Sequence, residues 1–406
     1  MFKPLRGCAF PLAVYRRRRE QALVAIRKSF EKPLPFVVFG ADFAEADTPP
    51  AGRLRQDPWF EWTSGCHEPQ SLMLVEPGKT TLFLEPGDPK RVIWDGARLQ
   101  PGPAVAKLFG VDSCQAAKEA ISVLSHSAKR HGGLVLLWKK KSSDPQSQKR
   151  KLWRNRLRGL NLHNGWDALS DVRAIKDSHE IACLRQAIAC TAQSLKRVFP
   201  LIPNLQRESQ VAAELVRDYT AHEGGHLAFA PIVGSGIHAA TLHYTVNAGP
   251  IDPESCLLID SGATYKGYCA DITRTLPPGG RFQSGEFFEL YELVLAAAAL
   301  GRQHARPGIT LKELNEIAWK PIVDAGLTRH HGLSHFIGLD VHDVGDRKKP
   351  LEAGMVISNE PGVYLPEKGI GIRIEDDLLI TRSGCEELSA AIPKEPSELS
   401  AWLQAL

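Results

Sequence analysis

Residues 257–275, reading LLIDSGATYKGYCADITRT, constrain this chain more than any other stretch. Leu257 to Ile259 is a short apolar run of strand type, and Lys266-Gly267 supplies a tight turn, so the segment is expected to fold as a β-hairpin. Folding back at that turn sets Asp271 beside residue 262. Asp260 lies two residues further along and on the same face, because strand side chains alternate with period two. Two carboxylates at diagonal cross-strand distance repel unless a cation sits between them, and a divalent metal meets that need. The alternative is a solvated acidic face. Asp260 follows directly on a run apolar enough to be core, which favours the metal.

At 406 residues the chain has room for two domains, one with a large core. A hydrophobic content of 43% and a charged content of 24% are those of an ordinary globular protein rather than a disordered one. The formal charge of +4 calls for neither nucleic acid nor an anionic membrane as a partner. Eight cysteines occur without a C-x-x-C pair, a usage that fits reduced thiols in a cytoplasmic protein. No run approaches the ~18 apolar residues of a membrane span. Leu5-Arg6-Gly7-Cys8 has a loose likeness to a lipoprotein cleavage site, but no apolar region precedes it and Arg16 to Arg19 follow, so export is rejected. The first dozen residues are expected to be a poorly ordered extension.

In chain order, a basic helix is expected over 15–28 and a strand over 34–39, then an aromatic, turn-rich segment at 56–65. Strands follow at 71–75, 80–84 and 92–94, then a helix near 116–129 and a strand at 133–138. Alternation of this kind indicates a small α/β domain. The most basic region contains Lys139-Lys140-Lys141, Lys149-Arg150-Lys151, Arg154, Arg156 and Arg158. It reads as a solvated loop and an amphipathic surface helix, because Trp153 is the lone aromatic interleaved with it and nucleic-acid stacking needs a platform. A domain boundary falls near 164–171.

Beyond it, Asp177 and Glu180 form a capping box for a helix with apolar positions Ile181, Leu184, Ile188, Leu195 and Val198. A second helix covers 208–222 and stops at Gly224-Gly225. A helix at 286–305, the Thr310/Glu313 capping box and strands at 334–341, 356–359, 371–377 and 378–381 repeat the order coarsely. Helix, helix, then strands, twice over, points to an internal duplication facing a shared sheet.

Four further pieces carry chemical side chains. The first, HGLSHFIGLDVHD at 331–343, holds His331, His335 and His342; Gly332 and Gly338 argue for presentation from a loop and strand rather than a helix. The second is a strand ending in Glu360 before Pro361-Gly362. The third is GIRIEDD at 371–377, where Arg373 and Glu375 share one face. Either Arg373 pairs with Glu375, or Glu375 binds metal and Arg373 meets an anionic group. The fourth is His243-Tyr244. Asp260, Asp271, Glu360, Glu375 and His335 together give four carboxylates and one imidazole, which matches two divalent cations. The oxygen-rich shell suits manganese, with cobalt or zinc as alternatives. Such a pair can hold a bridging hydroxide as nucleophile and polarise an amide carbonyl, which makes the chain a hydrolase acting on a peptide bond.

These segments, with Ile232-Val233-Gly234-Ser235-Gly236, Asp340-Val341-His342-Asp343-Val344-Gly345 and Asn359-Glu360-Pro361-Gly362, resemble the pita-bread metallopeptidases. The likeness is to the Xaa-Pro branch that holds proline dipeptidase and aminopeptidase P. The first half resembles that family's N-terminal domain more loosely, best at Arg55 to Phe60 and onward to Pro69. The resemblance implies an α+β chain, with a smaller α/β N-terminal domain at 1–165 for oligomerisation and site closure, and a catalytic domain at 166–406.

It further implies metal ligation by Asp260, Asp271, His335, Glu360 and Glu375. Glu360 would also shuttle a proton. His342 would steady the carbonyl oxygen or the tetrahedral intermediate, His243 and His331 would line the prolyl side, and Arg373 would support the shell or meet substrate. Substrates would be proline-containing di- or oligopeptides, and the protein a homodimer or homotetramer. Phe229 stands where the branch usually has tyrosine near the metals, so a lost hydroxyl is expected to reduce turnover. The segments between the second helix and His331, and between Gly362 and Gly371, look shorter than in many aminopeptidases P, which would alter the rim of the site. The main expectation is an Xaa-Pro dipeptidase. Aminopeptidase P is the near alternative, and a creatinase-type enzyme or a non-enzymatic binding protein of the same fold the remoter ones, since both are expected to lose ligands.

Overall fold

Near-continuous apolar runs in the first part of the chain become strands of one mixed sheet. In a computed structural model, residues 8–42, 55–139, 145–222 and 225–405 are described. The chain divides into two units, Met1–Val172 and Arg173–Leu406. In the first, β1 (Phe36–Phe39), β2 (Leu72–Glu76), β3 (Lys79–Leu84), β4 (Ser113–Ala116), β5 (Leu134–Leu136) and β6 (Leu162–Asn164) lie in the order β4-β3-β2-β1-β5-β6. The β1–β2 and β2–β3 pairs are antiparallel, and the other three are parallel. All of β1 is buried, as expected for a strand covered on both faces.

Three local expectations change in this unit. Residues 56–65 contain a helix, Pro58–Ser64, capped by Asp57 Oδ1, which accepts from the Trp59 and Phe60 amides at 2.9 and 3.1 Å. That is the N-cap logic of aspartate, with proline at the first helical position. Residues 92–94 are a helical turn, Val92–Asp95, rather than a strand. Asp88 accepts from the Lys90 amide at 2.8 Å and Pro89 fixes the first dihedral, so the segment enters a turn. The helix expected near 116–129 is Ala120–His131, because 113–116 joins the sheet edge as β4. The basic segment forms a helix, Pro145–Arg156. Lys139 and Arg154 lie over the rings of Trp166 and Trp138, at 5.5 and 4.2 Å. Lys140 and Lys141 lie outside the described residues, as does Gly224.

The second unit contains β7 (Gly225–Leu227), β8 (Ile232–Ser235), β9 (Leu257–Ser261), β10 (Ala263–Tyr265), β11 (Tyr268–Cys269) and β12 (Ile272–Leu276). These are followed by β13 (Val356–Asn359), β14 (Gly362–Leu365), β15 (Ile370–Arg373), β16 (Asp376–Ile380) and β17 (Cys385–Glu387). Helices Ser178–Val198 and Glu208–Ala221 precede the first set; Glu286–His304 and Leu311–Ala318 precede the second. Both expected capping boxes form, at Asp177/Glu180 and Thr310/Glu313. One core joins the helices to the strands through buried residues such as Leu195, Leu215, Ile259, Ile272, Val294, Ile357 and Ile372.

The hairpin forms, with one break. Lys266 and Gly267 both take positive φ, 49° and 86°, the backbone of a type I′ turn. Thr264 pairs with Cys269, and Thr273 with Asp260. Between these ladders the strands part at Gly262, where a β-carbon would stand 1.8 Å from the Ala270 carbonyl oxygen. The hairpin therefore feeds two sheets, β11-β10-β7 and β12-β9-β8. Residues 334–341 form a loop instead of the expected strand, with a single bridge from Phe336 to Ile357. The two glycines at 332 and 338 and the turn at 338–343, closed by the Asp343 amide on the Phe336 carbonyl at 2.8 Å, account for this. Residues 371–377 are likewise split, β15 ending at Arg373 and β16 starting at Asp376, with Ile374 and Glu375 between.

Candidate metal centre

The break after Arg373 releases Glu375 from a continuous strand and lets it bridge to β12. Its amide donates to the Thr273 carbonyl at 3.1 Å, and Thr273 Oγ1 donates to its Oε2 at 2.7 Å. Asp271 precedes β12, and its amide donates to Asp377 Oδ2 at 3.2 Å. His335 is drawn to β13 by backbone bonding with Ser358, whose hydroxyl accepts from the His335 amide at 3.0 Å and donates to Glu360 Oε1 at 3.1 Å. The Glu360 amide is tied to the Leu333 carbonyl at 2.9 Å.

The result is a convergence of residues far apart in the chain. His335 Nε2 lies 3.4 Å from Asp271 Oδ2 and 3.5 Å from Glu360 Oε1. Donor atoms of Asp271, His335 and Glu375 all fall within 4.8 Å of one another. Asp260 stands opposite Thr273 on β9, with Oδ2 2.7 Å from Arg373 Nη2. Its Oδ1 is buried without a hydrogen-bond partner among the described residues.

The electrostatics are those of crowded acid. Burial, then the charges of Asp260, Asp377 and Glu360, push the Asp271 carboxyl well above its ordinary range. Burial, with Asp271, Glu360 and Asp260, does the same to Glu375. Burial also raises Glu360, partly offset by His335 and Arg373. A divalent cation would relieve this repulsion. The imidazole is oriented for ligation as well. His335 Nδ1 faces the Phe336 carbonyl at 3.2 Å, which can only accept. With Nδ1 as the donor to that carbonyl, Nε2 is the ring atom left to face Asp271 and Glu360 and to ligate a metal. The orphaned Asp260 oxygen, the oxygen-rich donor set and this tautomer all fit bound divalent metal.

Arg373 is the charge that knits the acids together. Nη2 meets Asp260, Nε donates to Thr273 Oγ1 at 3.1 Å and lies 3.9 Å from Glu375 Oε2, and Nη1 donates to Tyr364 OH at 2.9 Å. Both alternatives left open for this arginine are thus narrowed: it is 3% exposed and engaged by the acids. Tyr364 continues the chain of contacts to His331 Nε2 at 2.9 Å. Because His331 Nδ1 bonds the Gly332 carbonyl at 2.8 Å, its Nε2 accepts and the phenol donates. Burial depresses the His331 imidazole to about 4, so the ring stays neutral at physiological pH.

His342 is exposed and packs edge-on to His335, ring centroids 4.2 Å apart. His243 is exposed and lies close enough to His331 to act on it electrostatically. Phe229 is half-buried beside the Ala228 amide, which donates to the Gly262 carbonyl at 2.9 Å. Sequence reasoning missed Thr273, Ser358, Tyr364 and Asp377. Thr273 was within reach of it: strand alternation places 271, 273 and 275 on one face.

The arrangement defines a two-domain α+β metallopeptidase of pita-bread architecture. Residues 182–382 match metallopeptidase family M24, and residues 15–136 match the N-terminal domain of aminopeptidase P. An Xaa-Pro aminopeptidase of Haemophilus influenzae is 33% identical over 85% of this chain and 87% of its own length. That of Escherichia coli is 31% identical over 96% and 97%. Aminopeptidase P from E. coli with the inhibitor Pro-Leu superposes with a TM-score of 0.85 at 28% identity, covering 98% of this chain and 99% of its own. Pseudomonas aeruginosa aminopeptidase PepP gives 0.84 at 28% identity, covering 98% of each chain. The chain belongs to metallopeptidase family M24, in the branch that cleaves Xaa-Pro bonds, and its family implies divalent metal ions. Among the described residues, no helix is long and apolar enough to cross a membrane.

Proposed function

We propose that this chain is an Xaa-Pro aminopeptidase of the aminopeptidase P type, releasing the N-terminal residue from peptides with proline second. The observation that carries the hydrolytic reading is the convergence of Asp271, His335, Glu360 and Glu375 with the Arg373–Asp260 pair. The aminopeptidase reading replaces the dipeptidase expectation because the similar relatives and structures bear that description over nearly their whole length. Likeness of the first unit to the aminopeptidase P N-terminal domain supports it too.

Asp260, Asp271, His335, Glu360 and Glu375 would hold two divalent ions, with manganese favoured by the carboxylate-rich donor set. Bound there, the metal would polarise the scissile carbonyl and acidify the attacking water. Glu360, fixed by the Ser358 hydroxyl, takes up the proton and delivers it to the departing prolyl nitrogen. His342 donates a hydrogen bond to the carbonyl oxygen as negative charge develops on it. His243 orients the substrate from the opposite loop. His331 has both ring nitrogens engaged, so it contributes shape to the prolyl pocket and holds the Tyr364–Arg373 contacts in place. Arg373 holds Asp260 in orientation through its 2.7 Å contact from Nη2 to Oδ2. Phe229 packs without a hydroxyl at the edge of the site.

Proline-containing oligopeptides are then the substrates. The first unit is proposed to close the site of a neighbouring copy in a homodimer or homotetramer; Ile93 and Trp94, 95% and 83% exposed, offer apolar surface for such contact. No disulfide links the eight cysteines, which supports a reducing, cytoplasmic location. The test is a panel of an Xaa-Pro dipeptide, an Xaa-Pro-Xaa tripeptide and a longer Xaa-Pro peptide with manganese-loaded protein. Tripeptide and longer peptide should be cut after the first residue. Cleavage of the dipeptide alone would restore the dipeptidase reading.

A further inference from the structure

Glu208 is a fully buried carboxylate that the hydrolytic steps do not use. It begins the helix Glu208–Ala221 and faces the segment joining β8 to β9. Four donors converge on it. Oε1 accepts from the Ser235 amide at 2.9 Å and from His238 Nδ1 at 2.8 Å. Oε2 accepts from the Tyr244 hydroxyl at 2.9 Å and from the Gly249 amide at 2.6 Å. A carboxylate offers about four lone-pair sites, so these donors fill it.

The donors come from both ends of one loop. Ser235 closes β8, and Gly249 lies on the return towards β9. The Glu208 amide adds a bond to the Gly249 carbonyl at 3.1 Å. His238 stacks on Tyr244 with centroids 4.4 Å apart. The Tyr244 hydroxyl, besides donating to Glu208, accepts from the Ala248 amide at 3.2 Å. Asn247 supplies a second fastening, its side chain accepting from the Val233 amide and donating to the Pro231 carbonyl, both at 2.8 Å. Residue 243 sits between these anchors, next to Tyr244, with its own side chain exposed.

We propose that Glu208 is a positioning residue for His243: by gathering Ser235, His238, Tyr244 and Gly249 onto one carboxylate, it fixes the loop from which His243 meets the substrate. The inference rests on the Xaa-Pro hydrolase reading and deepens it. Glu208 does not touch substrate. Its effect passes through the geometry of residue 243, where a displacement of about an ångström can cost up to about a hundredfold in rate.

The experiment compares Glu208→Gln, His243→Ala and the double variant by tripeptide kinetics and amide hydrogen exchange. Glutamine keeps the volume but sets an N–H against one pair of donors. Glu208→Gln should raise exchange over residues 236–249 and leave residues 331–335 unchanged. It should lower kcat about tenfold with KM within about twofold. In the His243→Ala background the same change should cost less than about twofold, because the residue through which it acts is gone. Glu208→Asp, which retains both oxygens, should recover part of the rate. Tyr244→Phe, which removes one donor and no charge, should loosen the same loop with an intermediate loss. Equal losses in both backgrounds, or unchanged exchange over 236–249, would overturn the proposal, as would a general rise across β9 and β12 with both variants. If the parent protein cleaves no Xaa-Pro peptide, the hydrolase reading fails instead. Hydrogen exchange then still decides the loop claim, and a loop no looser in Glu208→Gln overturns it.

Discussion

Arg373 holds Asp260 by a 2.7 Å contact from Nη2 to Oδ2, while its two other guanidinium nitrogens serve Thr273 and Tyr364. The fork is used in three directions at once, which a lysine cannot imitate. Arg373→Lys should therefore lower kcat/KM by about a hundredfold with a near-normal Tm, measured alongside metal content. A lysine variant with parental activity would show that charge alone suffices.

Thr273 Oγ1 donates to Glu375 Oε2 across 102 positions of sequence. Thr273→Val keeps the shape and removes that donor, together with the acceptor for Arg373 Nε. Loss of such an outer partner typically weakens metal binding about tenfold. Calorimetric titration of metal-stripped protein should show that loss, with circular dichroism unchanged.

Asp271 and Glu375 are driven up by burial and by the charges of Asp260 and Glu360, so folding assembles a repulsive cluster. Metal that binds only the folded form should stabilise it by about 2.7 kcal/mol at a free concentration 100 times Kd. The manganese-dependent rise in Tm should be largely lost in Asp271→Asn. An undiminished rise would place the metal elsewhere.

Asp343 lies between Arg173, with Oδ1 2.5 Å from Nη2, and Lys176, with Oδ2 3.1 Å from Nζ. Burial would raise its carboxyl, but these two charges outweigh it and hold it below the ordinary value. The sign follows: the stabilisation is fully present above the unfolded-state value of about 3.9 and is lost as pH falls through the lower folded-state value. Asp343→Asn should cost about 3 kcal/mol at pH 7, leaving buried cations poorly paired. Denaturation curves of the two proteins should converge below about pH 4. Parallel curves down to pH 2 would contradict the assignment.

Local chemistry was legible in the sequence, and long-range chemistry only where one strand carried it. The Lys266-Gly267 turn and the capping boxes at Asp177 and Thr310 depend on neighbours a few residues away, and they form as read. Asp260 and Asp271 followed from the hairpin's period. Residues 334–341 were misread as a strand because alternating apolar side chains looked like one, whereas Gly338 and the Asp343–Phe336 bond close a turn. Residues 92–94 were misread because Val92, Ile93 and Trp94 have strand-like side chains, yet Asp88 and Pro89 commit them to a turn. Tyr364 stayed hidden because its partners, His331 and Arg373, come from a loop and a strand whose approach no local pattern records. Glu208 looked like any acidic residue in a first helical turn, and its four donors lie up to 41 positions away.

Asp260, Asp271, His335, Glu360 and Glu375 are proposed to hold the metal that makes this chain a peptidase. The most direct measurement is Xaa-Pro-Xaa tripeptide cleavage before and after exhaustive chelation, with metal content followed by mass spectrometry. The expected result is loss of cleavage as bound metal falls from two ions per chain to none, and recovery when manganese is restored. Parental cleavage by protein shown to be free of metal would contradict the account.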